Sequence, residues 1–466
     1  MRILLFKPKG VSDSITPVLG LGYLAAAARQ QHEVTVIHGI KEHIGPERFE
    51  GRLRETRPDV VGFQVYTHDL AAVSAYLEVI KRHRPDTWVV LGGPHPSAAP
   101  GPTLELLQGI RGFVIKGEAD RSFPTLMDRC ASGAFAATPL DDIPGLVWRQ
   151  DGRVVENPMR WIEDMDSIPF PAWDLMPPDR FPPSPHAAFY KKLPVAPMIA
   201  SRGCPYQCVY CAGSITMGKT VRYRSVENVL EEVTHLLRTY GVKEIHFVDD
   251  NFTHKRGFVL KLCEEVLRRG LRFYWTCPNG VRLNTLDEEL LGAMKAAGCY
   301  ALAVGIESGS QRILDKMRKG LALDEIRSKV SLIRKAGMTP IGFFVVGFPT
   351  ETREEMEQTI RYSRGLGLKR ANFMLFHPFP GTEAYRWIKE RKDRNGLLLA
   401  APSYAEVSYV PEGFTMRELK GIQRKAFLGF YLRPSVLWHL LKDIRSPRHA
   451  YYIVRRVARW MGGTSQ

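Results

Sequence analysis

The sequence predicts an α/β protein: a doubly wound, Rossmann-like parallel sheet, followed by a partial (β/α)6 TIM-type barrel and a helical carboxyl-terminal region. Two observations lead to this fold class. Short apolar runs alternate with amphipathic stretches in two long segments, as in βαβ units, and a proline-rich stretch separates the segments. The length of 466 residues, 44% of them hydrophobic, is sufficient for about three domains with substantial cores.

Residues 1–135 are predicted to form the first sheet. Helices such as 19–31 and 70–84 separate the predicted strands, which are residues 2–6, 33–37, 59–65, 87–91 and 112–116. In doubly wound sheets, ligands bind beyond the carboxyl ends of the strands. Glycines in two of the loops there allow a large ligand to approach the backbone. These loops are residues 8–22, 66–69, 92–97 and 117–120.

Residues 136–195 are rich in proline and are interpreted as a connector between the two segments. A short hairpin is predicted at residues 145–155, with Asp151 and Gly152 at its turn. The rest is expected to be irregular but ordered, and a disordered linker is the alternative. Order is favoured because four large aromatic side chains would be costly to leave in water: Trp148, Trp161, Phe170 and Trp173.

Residues 196–395 are predicted to form the partial barrel. Helices such as 228–239, 258–268, 323–336 and 354–366 alternate with six strands, which are residues 197–201, 244–248, 272–277, 301–306, 340–346 and 371–376. In barrels of this type, functional residues collect at the carboxyl ends of the strands. The loops after these strands are therefore the place to look for a site.

Three cysteines after the first barrel strand are the most informative feature of the chain. Cys204, Cys208 and Cys211 have CxxxCxxC spacing in the segment Ser-Arg-Gly-Cys-Pro-Tyr-Gln-Cys-Val-Tyr-Cys. Three thiolates can hold three irons of a cubane cluster and leave the fourth iron open to a substrate or cofactor. A structural zinc site, the alternative, needs a fourth ligand. The remaining cysteines are scattered singly, as Cys130, Cys263, Cys277 and Cys299.

The cysteine loop, with Tyr210 directly before its third cysteine, resembles that of the radical S-adenosylmethionine (radical SAM) superfamily. The resemblance implies a 4Fe-4S cluster whose fourth iron is chelated by the methionine part of SAM. It also implies that the loops after later barrel strands bind SAM, because the superfamily keeps its SAM motifs there. The SAM-binding residues so predicted are Tyr210, Asp249, Asp250, Arg282, Glu307, Ser308 and Gly347.

Each of these barrel motifs has a simpler reading as an ordinary turn or helix cap. For Arg282, which follows the third strand, three interpretations stay open: a partner for the SAM carboxylate, a partner for a cobalamin side group, or a solvated surface arginine. The order of the motifs behind the cysteine loop is what favours a barrel that binds SAM.

The loops of the first segment resemble the cobalamin-binding domain that precedes the barrel in one large radical SAM class. The motifs are Pro-Val-Leu-Gly-Leu-Gly-Tyr-Leu-Ala-Ala, Gly-Gly-Pro-His-Pro-Ser and Gly-Glu. The DxHxxG sequence that supplies a histidine to cobalt elsewhere is absent, so the cobalt is expected to lack a protein imidazole. His68 and His95 have the alternative reading of loop residues bonded to backbone. The predicted cobalamin-binding residues are Leu19, Gly20, Thr67, His68, Gly92, Gly93, His95, Gly117 and Glu118.

The resemblance implies a function as well as a fold. A cobalamin-dependent radical SAM enzyme of this class cleaves SAM reductively to a 5′-deoxyadenosyl radical, with electrons from an external flavodoxin- or ferredoxin-type donor. Methylation of an unactivated carbon is the favoured outcome for this chain. Ring closure, ring contraction or oxidation without methyl transfer is the alternative, and a non-catalytic cobalamin and iron-sulfur binding protein is a minor one.

Residues 396–466 are predicted to be a basic, aromatic-rich helical region. The chain carries a net charge of +16, and residues 415–466 alone hold eleven lysines and arginines against Glu418 and Asp443. Such a tail could contact an anionic membrane, which suggests a lipid-like substrate, or could cap the barrel with solvated arginines outside. RNA ranks below a small molecule or lipid, because no added RNA-binding domain is evident. No apolar run reaches the roughly 18 residues of a membrane span, so the protein is expected to be cytoplasmic or at most peripheral.

Overall fold

Two parallel sheets with helices around them form the frame of the protein. The structure is a computed structural model, and it describes residues 1–10, 15–133, 140–182, 190–390, 408–444 and 451. The predicted fold class is confirmed, with a doubly wound sheet first, a six-stranded partial barrel second and helices last.

The first sheet has five parallel strands in the order β2-β1-β3-β4-β5. They are β1 Arg2–Lys7, β2 Glu33–His38, β3 Val60–Gln64, β4 Trp88–Gly92 and β5 Gly112–Ile115. The helices that cover the sheet are α1 Leu19–Ala28, α2 Pro46–Thr56, α3 Leu70–His83, α4 Pro94–Ala98, α5 Pro100–Glu105 and α6 Ser122–Ser132. The strand order reverses beside β1, and such a switch point opens a crevice at the carboxyl ends of the strands.

The predicted hairpin is present and extends this sheet. Strands β6 Leu146–Gln150 and β7 Arg153–Glu156 pair antiparallel, and β6 pairs with the edge strand β5. Asp151 and Gly152 both have a positive φ, 50° and 76°, as a two-residue hairpin turn requires. The described part of the connector packs against the rest of the protein through Trp173, which is 2% exposed.

The barrel has six parallel strands that follow one another in space as they do in sequence. They are β8 Val195–Met198, β11 Glu244–Phe247, β12 Tyr274–Val281, β13 Cys299–Glu307, β14 Thr339–Val346 and β15 Arg370–Leu375. A separate two-stranded ribbon, β9 Ser201–Arg202 with β10 Arg222–Tyr223, stands at the carboxyl end of β8. Helices between the strands are α7 Gly213–Met217, α8 Val226–Thr239, α9 Arg256–Arg268, α10 Glu288–Ala296, α11 Gln311–Lys316, α12 Leu323–Lys335, α13 Arg353–Gly365 and α14 Glu383–Glu390.

Helix α8 shows how local sequence builds the barrel wall. The side chain of Ser225 accepts a hydrogen bond from the backbone N–H of Asn228 and so caps the helix start. Buried apolar residues recur every three to four positions along α8, which gives the helix one face for the core. On that face, Glu232 is fully buried and is paired with Arg224 at 2.5 Å and with the indole of Trp173 at 2.9 Å.

The described carboxyl-terminal region forms helices α15 Met416–Tyr431 and α16 Pro434–Asp443. Helix α15 covers the last barrel strand, since Gln423 and Tyr431 donate to the carbonyl oxygens of Phe373 and Ala371 at 2.9 and 2.8 Å. These bonds satisfy backbone groups of an edge strand that would otherwise stay open. The rest of the predicted tail, residues 396–407, 445–450 and 452–466, lies outside the described residues. No helix in the described ranges combines the length and apolarity needed to cross a membrane.

Candidate active site

The cysteine loop runs from the ribbon strand β9 into α7. Gly203 has φ 102°, and a β-carbon there would collide with the carbonyl oxygen of Thr220, so the loop needs glycine at this turn. The backbone N–H of Cys204 donates to Gly218 at 3.1 Å, and that of Cys211 donates to Cys208 at 3.1 Å. All three cysteines have free thiols, and Cys211 is exposed. The backbone thus places the three cysteines on one short loop, and among the described residues no three ligand side chains converge on a single metal ion.

Arg282 lies directly beside this loop. Its Nη1 is 3.7 Å from the Sγ of Cys208, and its guanidinium stacks on the ring of Tyr206 at 3.8 Å. Nη2 donates to the carbonyl oxygen of Lys319. Because Arg282 is 9% exposed, its interpretation as a solvated surface residue is wrong. The arginine places a fixed positive charge against a cysteine of the loop.

A buried ion pair between Glu307 and Lys319 completes this side of the site. Lys319 Nζ is 2.8 Å from Glu307 Oε1 and 3.5 Å from the hydroxyl of Tyr210, which links the pair to the cysteine loop. Burial disfavours the ammonium, but Glu307 and Cys208 together outweigh that effect and the pKa of Lys319 is raised. A β-carbon at Gly305 would collide with both members of the pair. The sequence predicts Glu307 as a site residue but does not indicate Lys319, because nothing in an Arg-Lys-Gly turn signals that the lysine is buried.

The two adjacent carboxylates after β11 have different surroundings. Asp249 is 3% exposed and accepts hydrogen bonds from the backbone and hydroxyl of Ser201, at 2.5 and 2.6 Å. Burial raises the pKa of Asp249 to about 6. Asp250 lies beside the cysteine loop instead, since a β-carbon on Gly213 would be 3.4 Å from Asp250 Oδ1 and 3.5 Å from Cys211 Sγ. Of the two, Asp250 is the one available to a ligand.

Ser308 and Gly347 support the site through backbone contacts. Ser308 Oγ accepts from the backbone N–H of Ser310 at 3.1 Å and is equally close to the hydroxyl of Thr359. Gly347 has φ 81°, and its N–H donates to Glu351 Oε2 at 2.7 Å. Ser308 and Gly347 thus make hydrogen bonds that hold the turns after β13 and β14.

Charged and neutral polar groups gather at the carboxyl ends of the first sheet, where Lys7 pairs with the buried Asp69 at 2.7 Å. Thr67 Oγ1 is 3.1 Å from His95 Nδ1, and the ring of His68 stacks on Tyr66. Burial lowers the pKa of both His68 and His95, so neutral imidazoles are favoured. Gly93 has φ 113°, and a β-carbon there would lie 3.0 Å from the carbonyl oxygen of Val65. This position therefore requires glycine, which has no side chain.

The remaining predicted residues of this domain lie around the same crevice. Leu19 is 8% exposed at the start of α1, and a β-carbon on Gly20 would be 3.1 Å from Gln64 Nε2. Gly92 ends β4, and the N–H of Gly117 donates to Ser97 Oγ at 2.9 Å. Glu118 is directed elsewhere: its Oε2 accepts from Arg222 of the ribbon at 2.7 Å and from the backbone N–H of Ile162 at 2.9 Å.

Comparison with known proteins identifies the family. A model described as "Radical SAM superfamily" matches residues 198–363, and one described as "B12 binding domain" matches residues 9–127. An uncharacterized methyltransferase of Pyrococcus horikoshii is 34% identical over 470 residues, which cover 98% of this chain and 97% of that protein. The chain belongs to the cobalamin-dependent radical SAM superfamily. It is an enzyme of the methyltransferase family within it.

Two further relatives of this radical SAM enzyme differ in the reaction that their names state. The cytidylyl-2-hydroxyethylphosphonate methyltransferase of Streptomyces wedmorensis is 28% identical over 79% of this chain and 77% of that one. The anaerobic magnesium-protoporphyrin IX monomethyl ester cyclase of Rubrivivax gelatinosus is 25% identical over 79% of this chain and 65% of that one. Relatives named as a methyltransferase and as a cyclase therefore each match 79% of this chain.

Solved structures show the same fold. The radical SAM methyltransferase TsrM of Kitasatospora setae, with cobalamin and a [4Fe-4S] cluster bound, superposes with a TM-score of 0.72 at 19% identity, over 91% of this chain and 90% of that one. The cobalamin-dependent radical SAM enzyme OxsB, with aqua-cobalamin and SAM bound, gives 0.75 at 15% identity, over 99% of this chain and 71% of that one. The cofactors of this radical SAM enzyme are a 4Fe-4S cluster, SAM and cobalamin.

The residues at the radical SAM site fit these cofactors. Soft thiolates are the ligands that iron-sulfur clusters take, and three free thiols share one loop. Two buried donors beside that loop, Arg282 Nε and Asn251 Nδ2, have no hydrogen-bond partner among the described residues. At the first sheet, Gly92 ends β4 and its missing β-carbon would meet only the carbonyl oxygen of Ile115, at 3.7 Å, among the described residues, which leaves room for a ligand there.

Proposed function

We propose that the protein is a C-methyltransferase that cleaves SAM reductively and methylates an unactivated carbon of a small-molecule or lipid-like substrate. The observation that carries the proposal is the cysteine loop, which has buried charges beside it and whose ribbon docks on the loop after β5 of the first sheet. When bound, the cluster, SAM and cobalamin supply a 5′-deoxyadenosyl radical and a methyl group carried on cobalt. The chain's own residues bind, orient and shield these groups.

On the barrel side, we assign Cys204, Cys208 and Cys211 to the cluster, which leaves one iron open. The guanidinium of Arg282 beside Cys208 offsets the negative charge of the thiolates. The carboxylate of Asp250 and the ammonium of Lys319 match the amino and carboxylate groups of SAM. We assign Tyr210 to the same site, because its hydroxyl is 3.5 Å from Lys319 Nζ, and Gly347 by its place at the end of β14.

On the first sheet, we assign the corrin to the crevice at the switch point. Thr67 and His95 form a neutral hydrogen-bonded pair there, and neutral groups suit a ligand whose edge carries amides rather than charges. Gly92 at the end of β4 lets the corrin approach the backbone closely, because little lies where its β-carbon would stand. The loop after β5 of this sheet binds the ribbon of the barrel, which brings the two proposed sites to one interface.

The experiment that tests the proposal is anaerobic reconstitution with iron, sulfide and cobalamin, followed by product analysis with candidate substrates. Dithionite, and separately a reduced flavodoxin, serve as the electron source. We expect both 5′-deoxyadenosine and S-adenosylhomocysteine, together with a product heavier by one methylene unit. Deoxyadenosine with an altered but unmethylated product would support the cyclase-like alternative, which the Rubrivivax relative favours. Intact SAM under reducing conditions would contradict both.

A peripheral membrane contact is proposed for helix α16. Leu437 and Trp438 are 40% and 58% exposed there, and Leu432 just before the helix is 63% exposed. The basic charge of residues 415–466 would add attraction to anionic lipid. We expect the protein to sediment with phosphatidylglycerol vesicles at low salt and to dissociate as salt rises. Trp438→Ser should weaken this binding, and vesicle binding that is equal for both proteins would contradict the contact.

A further inference from the structure

A buried network of four charged side chains joins the first sheet to the ribbon that holds the cysteine loop. Asp120 accepts two parallel hydrogen bonds from Arg202, at 2.7 and 2.9 Å. Glu118 accepts one from Arg222 at 2.7 Å and lies 3.5 Å from Arg202. The four side chains are between 1% and 9% exposed, so water screens these contacts little.

The two arginines occupy directly opposite positions in β9 and β10. Like charges that face each other across a ladder repel, and buried guanidiniums are stable only with hydrogen-bonded partners. Here both carboxylates come from the loop after β5 of the first sheet. The ribbon can therefore keep its observed arrangement only while it is docked on that sheet.

The ribbon frames the cysteine loop at both ends. Arg202 precedes Cys204 by two residues, and Arg222 donates to the carbonyl oxygen of Met217, at the end of α7, at 2.7 Å. On the side of the first sheet, the N–H of Gly117, next to Glu118, donates to Ser97 of the loop formed by residues 92–97. An unbroken series of short contacts thus runs from the cysteines to the loop predicted to bind cobalamin.

We infer that Glu118, Asp120, Arg202 and Arg222 are positioning residues that fix the separation between the cluster and cobalamin. This role rests on the proposed function for its consequence, because a fixed separation keeps methyl transfer coupled to SAM cleavage. Aromatic rings brace both arginines: Arg202 lies over Tyr23 at 5.2 Å, and Arg222 lies over Trp161 at 5.5 Å.

The test measures the distance between the cluster and cobalamin directly. Asp120→Asn removes the charge of the bidentate pair, and Arg202→Lys keeps the charge but loses the two-pronged geometry. In the reconstituted holoenzyme, pulsed EPR reports the spin interaction between the reduced cluster and cob(II)alamin. We expect one narrow distance distribution in the wild type and a broader or shifted one in each variant, with iron and cobalamin contents unchanged. The ratio of 5′-deoxyadenosine to methylated product should rise about threefold or more.

Asp174→Asn is the matched control. It removes the Arg29 to Asp174 ion pair, which also ties the first domain to the connector at 2.7 Å, but whose side chains are 46% and 53% exposed. We expect this variant to keep the wild-type distance distribution. If Asp120→Asn does not fold, Arg202→Lys decides the question.

The outcomes separate this inference from the proposed function. An unchanged distance distribution in the folded network variants overturns the positioning role, whatever reaction the enzyme performs. A changed distribution in an enzyme that forms no methylated product supports the positioning role while the proposed function fails.

Discussion

The two loop clusters that meet in this protein neutralise their polar groups in different ways. At the barrel end, buried charges are paired, as Glu307 is with Lys319, and Arg282 lies against Cys208. At the end of the first sheet, a buried ion pair, Lys7 with Asp69 at 2.7 Å, lies beside neutral groups such as the Thr67 and His95 pair. A small zwitterionic ligand needs charged partners, whereas a large ligand rimmed with amides needs room and neutral donors and acceptors. We therefore assign SAM to the barrel end for the charged groups beside its cysteine loop, and cobalamin to the crevice of the first sheet for its neutral pair.

The largest expected effect comes from removing a cluster ligand. Cys208→Ala should abolish SAM cleavage, because the two remaining thiolates cannot hold a cubane with a single open iron. Cobalamin binding should persist, since the first sheet does not depend on that thiol. Iron content, the EPR signal of the reduced cluster and the cobalamin absorption spectrum measure the two effects separately.

Cys130→Ala is the control for this change. Cys130 lies on α6 of the first domain, away from the cysteine loop, and the variant should keep both cofactors. If Cys208→Ala lost cobalamin together with the cluster, the cluster site of the barrel and the cobalamin site of the first sheet would not bind independently.

Breaking the buried ion pair should have the next largest effect. Lys319→Met leaves the carboxylate of Glu307 buried without its partner, and the free energy of unfolding should fall by about 3 kcal/mol. SAM affinity should fall as well. Denaturant unfolding and equilibrium dialysis with SAM measure the two quantities.

The double variant Lys319→Met with Glu307→Gln tests the reason. Because neither side chain then leaves a buried charge without a partner, the loss of stability in the double variant should be smaller than the sum of the two single losses. Additive losses would contradict the pairing.

On the first sheet, His95→Gln replaces one neutral group by another, so the free energy of unfolding should change by no more than about 1.5 kcal/mol.

A buried carboxyl gives the barrel a pH response. Burial raises the pKa of Glu351 from 4.5 to about 8, so the folded state holds this proton more tightly than the unfolded state does. Its contribution to stability is complete below about pH 4.5 and is lost as the pH rises to about 8. Glu351→Gln keeps an acceptor for the N–H of Gly347 and should flatten this part of the stability profile. Unfolding midpoints between those pH values test this, and equal slopes in the two proteins would contradict it.

A buried histidine gives the first sheet the opposite response, and the smallest effect expected here. Burial, with a further contribution from Lys7, lowers the pKa of His38 from 6.5 to about 4. The stability that depends on its neutral form is present above pH 6.5 and is lost as the pH falls toward 4. The protection factors of amides in the first sheet, which correct for the intrinsic effect of pH on exchange, should fall over that range, and less so in His38→Gln. A fall of the same size in both would assign it to other groups.

The strands and the cysteine loop could be predicted because their signals are local. Apolar runs, glycine turns and cysteine spacing are each legible within about ten residues. The different roles of Asp249 and Asp250 could not be predicted in this way, because both residues follow the end of β11, where side chains no longer alternate as they do along a strand.

Partners that are distant in sequence could not be predicted in this way. Glu118 and its partner Arg222 are 104 residues apart, and Lys319 pairs with Glu307 only because the turn after α11 folds back on β13. Such pairings depend on how whole domains dock, and a single sequence carries no local trace of docking. The sequence therefore predicts Glu118 as a residue of the cobalamin crevice, although its side chain binds Arg222 of the ribbon.

The facing arginines of the ribbon set a rule for anyone who recombines enzymes of this architecture. A chimera that takes its first domain from a different protein must bring two acidic residues at the positions of Glu118 and Asp120, or it will leave Arg202 and Arg222 buried together without counter-charges. Swapping the segment from the loop after β5 through the ribbon as one piece keeps all four residues together. In this protein, the sensible unit of exchange crosses the boundary between the two sheets.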